Sequence, residues 1–452
     1  MKKIDRRLFL KKSGTAAAGA IIVPTIIPAC ARGKNGQKAP SDRINMAFIG
    51  AGNMGCNDVK HFLADNRVQL TAACDVNRQG VYQDGRLGGR DYMKLMIDQA
   101  YSEQKGKKYN SCETYVDFRE VLSKKDIDVV EVITPDHWHS IPVLMAAAAG
   151  KDIFCQKPLS LTIPEGRAMS NAVKKYNVVF QTGSQRRSSD HFRRICEIVR
   201  NGRIGKLETV RVGLPTGTPD YANTAHLTET VAVPEGFDYE TWLGPAPKEP
   251  YCPARTLVNY RWNLDYSGGQ LTDWGGHFID MAQWGMGTDD TGPVRVLNAR
   301  AKWSDHPIYD TAVEFHFECI YENGVKLIVS TDEGFGMKFE GKEGSIWRDG
   351  ADPESVLDTV IGPDEIQLYR SNAGHHKNFI DCVVSRKETS APAEVGHRSI
   401  SIAHIGNIAM ILGRDLDWDP VKEKFINDEE ANLMLSREMR EPWASIYKKH
   451  VV

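Results

Sequence analysis

Gly50-Ala51-Gly52-Asn53-Met54-Gly55 is the stretch on which the reading of this chain turns. It is a Gly-x-Gly-x-x-Gly turn in a strand–turn–helix setting. Ile44 to Ile49 reads as a short buried strand running into it, and Asn53 to Ala64 reads as the helix after it. A second apolar strand, Val68 to Cys74, ends at Asp75, twenty residues past Gly55. In a dinucleotide fold the first glycine makes the tight turn, the second lets the backbone approach a pyrophosphate, and the third lets helix pack on strand. The pyrophosphate then rests on free N–H groups at a positive helix end. Asp75 is placed to accept hydrogen bonds from the adenosine ribose, and its charge repels a 2′-phosphate. The pattern therefore points to NAD rather than NADP, with Arg78 nearby softening the discrimination.

The ends of the chain carry a different message. Asp5-Arg6-Arg7-Leu8-Phe9-Leu10-Lys11 fits a twin-arginine export signal, followed by a weakly apolar stretch from Thr15 to Ala29. That stretch is interrupted by Pro24 and Pro28 and is too short and Ala/Gly-rich for a stable anchor. Two processing readings stand. Ala29-Cys30-Ala31 fits a small-x-small cleavage site, and Ile27-Pro28-Ala29-Cys30 fits a lipoprotein box, in which Cys30 would carry a lipid tether. The expected organisation is a signal over 1–31, a polar linker over 32–43, a dinucleotide domain over 44–185 and a second domain over 186–452. The signal implies export and a periplasmic location. Net charge is −2 with 26% charged residues, which gives no reason to expect nucleic acid as a partner. The nine cysteines include no CxxC pair, so neither a disulfide framework nor a zinc site is expected.

Strand and helix alternate through the first half. Thr114 to Ser123 has a helical pattern. Asp128 to Ile133 is a strand ending at Thr134-Pro135-Asp136-His137-Trp138-His139. Asp152 to Cys155 is another, ending at Gln156-Lys157-Pro158, and Val178 to Gln181 is the next. Such alternation predicts a doubly wound parallel sheet, with ligands at the carboxyl ends of its strands. The expected cofactor contacts are Gly50, Gly52, Asn53, Met54, Gly55, Asp75, Thr134, Asp136, His137, His139, Gln156, Lys157 and Gln185. Beyond Gly205 the segments Lys206–Val212, Val294–Trp303, Ala312–Tyr321, Val325–Ser330 and Met337–Phe339 predict a mostly antiparallel sheet. Gly374 to Leu412 is helical again, and the segments around Trp418 and Trp443 read as a C-terminal wrap.

Three groups could carry chemistry. Lys157 stands at a strand end, where a partly desolvated lysine can hold or move a hydroxyl proton. Asp273 and His277 are four apart and Asp280 three further on, so one continuous helix would put all three on one face. That face suits a metal site, a helix-capping cluster or an acid–base relay. With no third strong ligand type beside it, metal is the weakest of the three, and no metal is expected. His137-Trp138-His139 is the third group, more often packing than function, but set here at the predicted crevice.

Together the Gly50 fingerprint, the Thr134–His139 loop, Gln156-Lys157-Pro158 and Asp273…His277 resemble the glucose–fructose oxidoreductase/inositol dehydrogenase (Gfo/Idh/MocA) family, from about Ile44 to Trp443. The resemblance implies a Rossmann domain plus a C-terminal α/β domain with a large open sheet used in oligomer contacts. It also implies NAD(P)-dependent oxidation of a sugar or cyclitol hydroxyl. By motif position Lys157 matches the family's catalytic lysine, and Asp273 and His277 its aspartate–histidine pair. His277 would take the hydroxyl proton, Asp273 would orient His277, and Lys157 would lower the hydroxyl pKa. The family usually shows Glu-Lys-Pro where this chain has Gln156-Lys157-Pro158. Without that carboxylate, Lys157 is expected to titrate lower, as a base.

Export adds a constraint, because free NAD is scarce outside the inner membrane and a working enzyme there must hold its cofactor tightly. The expectation is an NAD-dependent dehydrogenase turning a ring hydroxyl of a sugar or glycoside into a keto-sugar, assembled as a dimer or tetramer. Trp138, Arg187, Tyr260, Trp262, Trp274 and Asp280 are the expected substrate positions. A redox-neutral glycoside hydrolase is the runner-up. Its subgroup of the family carries a Tyr-Pro-Thr-His segment that this chain lacks. A cofactor-bound sugar sensor without turnover is the third reading.

Overall fold

The computed structural model describes residues 42–371 and 373–452, so the expected export signal, Cys30 and most of the expected linker lie outside the described residues. Residues Ile44–Val452 form one compact unit. Its first strands are β1 (Ile44–Ile49) and β2 (Val68–Cys74), followed by the small hairpin β3 (Gly80–Val81) and β4 (Leu87–Gly88). Then come β5 (Glu113–Tyr115), β6 (Val129–Val132), β7 (Asp152–Cys155) and β8 (Phe180–Thr182). Leaving out the hairpin, these pair in the order β5-β2-β1-β6-β7-β8, every pair parallel. Strands β6 and β7 are buried throughout, because helices cover both faces of a parallel sheet. The helical reading of Thr114–Ser123 needs correction. Glu113–Tyr115 is a short edge strand, and the helix starts only at Phe118, capped by the Asp117 carboxylate, which accepts from the Arg119 N–H.

The second sheet holds β9 (Leu207–Gly213), β10 (Arg295–Trp303), β11 (Ala312–Ile320), β12 (Lys326–Ser330), β13 (Gly336–Gly341), β14 (Gly344–Trp347) and β15 (Gly350–Asp352). β16 (Leu416–Asp419) and β17 (Lys424–Phe425) complete it. The order is β15-β14-β13-β9-β12-β11-β10-β16-β17, antiparallel except for the β9–β12 pair. Burial alternates along β10 and β11, as expected when one face of the sheet is packed. The helices Gly275–Met286 and Ala393–Leu412 cover that face. One apolar cluster runs from Val130 in the first sheet to Phe317 in the second, so the two domains share a core. The C-terminal helix Trp443–His450 packs on the helix Ser140–Ala148 and sets the Trp443 ring 4.6 Å from that of Trp138.

Candidate active site

The glycine turn is built as its residue types require. Gly50 has φ +107°, and a Cβ there would stand 2.5 Å from the Ile133 carbonyl oxygen. A Cβ on Gly55 would stand 2.7 Å from the Gly50 carbonyl oxygen, which is the close strand–helix packing that the third glycine allows. The helix Asn53–Leu63 begins at Gly52 with no side-chain cap and no acid in its first turn. Its leading N–H groups are thus left for an anion. Asp75 closes the turn from the next strand: one carboxylate oxygen accepts from the Ala51 N–H at 2.6 Å and the other from the Asn77 N–H at 2.7 Å. A carboxylate offers about four lone-pair sites, so acceptor capacity remains for ribose hydroxyls.

A crevice opens in front of this turn. Of the expected cofactor contacts, Gly50, Gly52, Asn53, Met54, Asp75 and Thr134 line it. The Thr134 hydroxyl is buried with no hydrogen-bond partner, a polar atom fit to meet a ligand. Walls that the sequence reading missed come from two places. One is the hairpin segment, where Tyr82 lies 3.2 Å from the point a Gly52 Cβ would occupy. The other is the second domain, with Phe237, Trp242, Val258 and Arg261. No local pattern marks these residues, which reach the crevice through long-range packing. The cradle, the free helix end and the orphan hydroxyl all fit a dinucleotide.

Next to the crevice stands a charged cluster. The Lys157 ammonium donates to Asp273 Oδ1 at 2.5 Å and to the Asp273 carbonyl oxygen at 3.0 Å. Arg261 Nε lies 3.5 Å from the same Oδ1, so Arg261 links this cluster to the crevice it also lines. Burial alone would raise the Asp273 carboxyl, but Lys157 and Arg261 outweigh it and hold it well below the usual carboxylate range. Burial, with the positive charges of Lys157 and Arg186, pushes His277 well below the ordinary imidazole value. His277 is therefore neutral near pH 7 and able to accept a proton.

Two expectations about this cluster change. Asp273 does not orient His277, whose Nδ1 is buried without a hydrogen-bond partner; it grips Lys157 instead. Nor does Gln156 leave Lys157 without an anion, since Asp273 fills that role. The Gln156 side chain turns into the interior, where its Nε2 donates to Asp58 Oδ2 at 2.6 Å. Its Oε1 accepts from Gln185 Nε2 at 3.4 Å.

Other expected site residues fall elsewhere. Asp136 is buried and accepts from Ser267 and Tyr260 hydroxyls at 2.5 and 3.3 Å. His137 is buried with Nε2 2.9 Å from the Trp242 carbonyl oxygen, and burial lowers its pKa to about 4. The His139 ring lies between the Thr134 and Pro158 carbonyl oxygens, at 2.9 and 2.8 Å, and ties the two loops together. The three-residue face is divided by its partners and not by the backbone: Trp274, between the helices Gly269–Asp273 and Gly275–Met286, keeps helical dihedrals, and His277 and Asp280 share the second helix. Asp280 then points into the core, paired at 2.9 Å with Arg187, which also holds Asp289 at 2.7 Å. Asp280 and Arg187 are thus a buried ion pair rather than substrate contacts. Trp262 is fully buried, donating to the Pro219 carbonyl oxygen at 3.1 Å. Trp138 and Tyr260 line the crevice, while Trp274 is half-buried with its ring 5.8 Å from that of His277. Among the described residues, no group of three or more His, Cys, Asp or Glu side chains is arranged to hold a metal ion.

Comparison with known proteins agrees with this geometry. Residues 44–184 match the oxidoreductase family's NAD-binding Rossmann fold, and residues 189–445 match its C-terminal alpha/beta domain. The chain belongs to the Gfo/Idh/MocA oxidoreductase family, and its first domain is that family's NAD-binding domain. A myo-inositol 2-dehydrogenase of Thermotoga maritima is 36% identical over 327 residues, 68% of this chain and 84% of its own. A glycosyl hydrolase family 109 protein of Shewanella pealeana is 29% identical over 173 residues, 36% of this chain and 35% of its own. The fold matches the crystal structure of scyllo-inositol dehydrogenase from Lactobacillus casei with bound NAD(H) and scyllo-inositol. The TM-score is 0.54 at 18% identity, over 83% of this chain and 99% of that one.

Proposed function

We propose that the chain is an exported dehydrogenase that oxidises a ring hydroxyl of a sugar or glycoside to the keto-sugar and keeps its NAD between turnovers. The observation that carries this is the Lys157–Asp273 ion pair, with neutral His277 beside it, joined through Arg261 to the dinucleotide crevice. The Gly50–Gly55 turn and Asp75 would hold the pyrophosphate and the adenosine ribose. The bound nicotinamide supplies the two-electron acceptor that no side chain can. His277 takes the hydroxyl proton. Lys157, fixed by Asp273, hydrogen-bonds the same oxygen and favours its anionic form. The likeness to an inositol dehydrogenase supports a cyclic polyol as the reacting group. The Arg6-Arg7 motif supports export, with Cys30 as a lipid tether if the lipoprotein box is used, and the nine-stranded sheet supports a homo-oligomer. A redox-neutral glycosidase is the second reading, favoured by the likeness to the family 109 hydrolase.

The two separate in one experiment. Purified protein, without added NAD, is given a panel of glycosides while reduced nicotinamide and free aglycone are followed. The dehydrogenase gives at most one equivalent of reduced cofactor per site, resumes on addition of a keto-sugar acceptor, and leaves the aglycone attached. Continuous aglycone release with no acceptor selects the glycosidase. Lys157→Met and His277→Ala should each lower turnover about 10²–10⁴-fold while NAD content stays that of the wild type.

A further inference from the structure

Two adjacent arginines meet opposite fates. Arg187 is fully buried between Asp280 and Asp289. Arg186 has no acid within ion-pair distance among the described residues, and its Nε is buried without a hydrogen-bond partner. Its guanidinium is held instead on aromatic faces, 4.2 Å from the Phe278 ring centre and 5.1 Å from that of Phe192. The charge that weighs on it is another cation, Arg348, which is itself paired with Asp349 at 2.7 Å. A cation left without an anion in a partly dehydrated place is costly unless something supplies the anion.

Its position indicates what that is. Phe278 follows His277 in sequence, and the Trp274 ring lies 5.8 Å from His277 and 5.0 Å from Phe335. Phe335 itself is 46% exposed, so its ring is open to a ligand. Arg186 thus stands over an aromatic platform that borders the proposed proton acceptor. An amphipathic sugar ring suits Trp274 and Phe335, and an oxyanion on that ring suits Arg186.

We propose that Arg186 is an anion subsite and that the substrate is an acidic sugar, bearing a carboxylate or a sulfate ester. The planar guanidinium offers its two terminal nitrogens as a fork, a geometry that receives a carboxylate by two parallel hydrogen bonds. This inference rests on the reading of Lys157, Asp273 and His277 as the reacting site, but its test does not depend on turnover.

The test is calorimetric binding to the purified holoprotein of matched methyl glycosides of glucose and galactose: the neutral hexoside, the hexuronide and the 6-sulfate. The expected result is affinity about 10–100-fold higher for an acidic member than for its neutral counterpart, as for a charge-assisted hydrogen bond. The ratio of uronide to sulfate identifies the oxyanion. Arg186→Met should bring the acidic-to-neutral ratio close to one, while Arg186→Lys keeps part of it. Should Arg186→Met fail to fold, the ratio in the wild type, and its decline with added salt, still decide. Equal affinities in the wild type, no binding of any acidic sugar, or a preference that survives Arg186→Met would overturn the inference. Acidic preference without cofactor reduction keeps the subsite and removes the dehydrogenase reading. Reduction by neutral sugars with no acidic preference does the reverse.

Discussion

Gln156 shows how a single residue answers to its surroundings. Its amide donates to Asp58, which in turn meets Glu131 and His376, the three on three different elements. Burial, with the charge of Asp58, pushes the Glu131 carboxyl well above its ordinary range, which favours its neutral form. Burial also works against Asp58, but the neighbouring His376 ring and the Gln156 amide hold its carboxyl below the usual value. A glutamate at 156 would add a third carboxyl to this pocket, and the amide avoids that while donating to Asp58. Gln156→Glu is therefore expected to destabilise the protein by about 3 kcal/mol at pH 7, equivalent to a pKa rise of about two units. The folded-state pKa of the new acid is raised. Its penalty is then absent below the unfolded value of about 4.3 and grows as pH rises through the folded one. Melting temperatures of variant and wild type should converge near pH 4 and separate toward pH 7. A gap that is constant with pH would refute the crowded-carboxyl account. Lys157 is untouched by this chemistry because Asp273, 116 residues away in sequence, is its partner. The Gln-Lys-Pro triplet gave no sign of that.

At the scale of elements, legibility followed the range of the interactions that define each one. Strands β1, β6 and β7 were plain because a parallel strand covered on both faces must be a short continuous apolar run. The three-residue edge strand β5 was read as helix because its exposed residues carry no periodicity. The separate fates of Asp273, His277 and Asp280 were missed because helical spacing fixes which face they share and not which partners they meet. The pairing that turns Asp280 away from the site joins residues 93 apart. The hairpin β3–β4 was invisible for a similar reason. Its stretch from Gly80 to Gly88 is polar and glycine-rich, and it matters only because Tyr82 closes on Gly52 and Gly88. The Tyr82 hydroxyl accepts from Asn77 Nδ2 at 3.3 Å, and Asn53 Nδ2 donates to Gln83 Oε1 at 3.4 Å, so the hairpin is tied down at both ends of the turn. Tyr82→Ala should leave the fold intact and speed NAD release about tenfold or more, as expected when an aromatic wall worth about 1.5 kcal/mol is removed. Dissociation followed by nicotinamide fluorescence measures this. An unchanged rate would show that the hairpin does not retain the cofactor.

For the whole molecule, the crevice has one wall in each domain, so its shape depends on how firmly the domains are joined. The shared apolar core is one tie. The other is an ionic latch between the helices Ile163–Tyr176 and Ala393–Leu412 and the turn joining β16 to β17. Arg167 holds Glu394 at 2.6 Å and Glu423 at 2.8 Å; Arg398 and His397 contact Glu423 at 3.1 and 2.6 Å. Burial would raise both carboxyls, yet Arg167 acting on both, with Ser170 on Glu394 and His397 on Glu423, lowers each from 4.5 to about 2. Because these folded-state values are depressed, the stability they contribute is fully present above about pH 4.5 and is lost as pH falls toward 2. Arg167→Met removes the common partner and leaves the mostly buried Glu423 with only Arg398 and His397. The loss at pH 7 should be about 2 kcal/mol, the scale of charged hydrogen bonds that are partly solvated. The variant should melt lower at neutral pH and lose less further stability between pH 4.5 and 2 than the wild type does. It should also release NAD faster, since loosening the latch frees one wall of the crevice from the other. If Arg167→Met melts lower but holds NAD as firmly as the wild type, the latch stabilises the fold alone, and retention rests on the core and the Tyr82 hairpin.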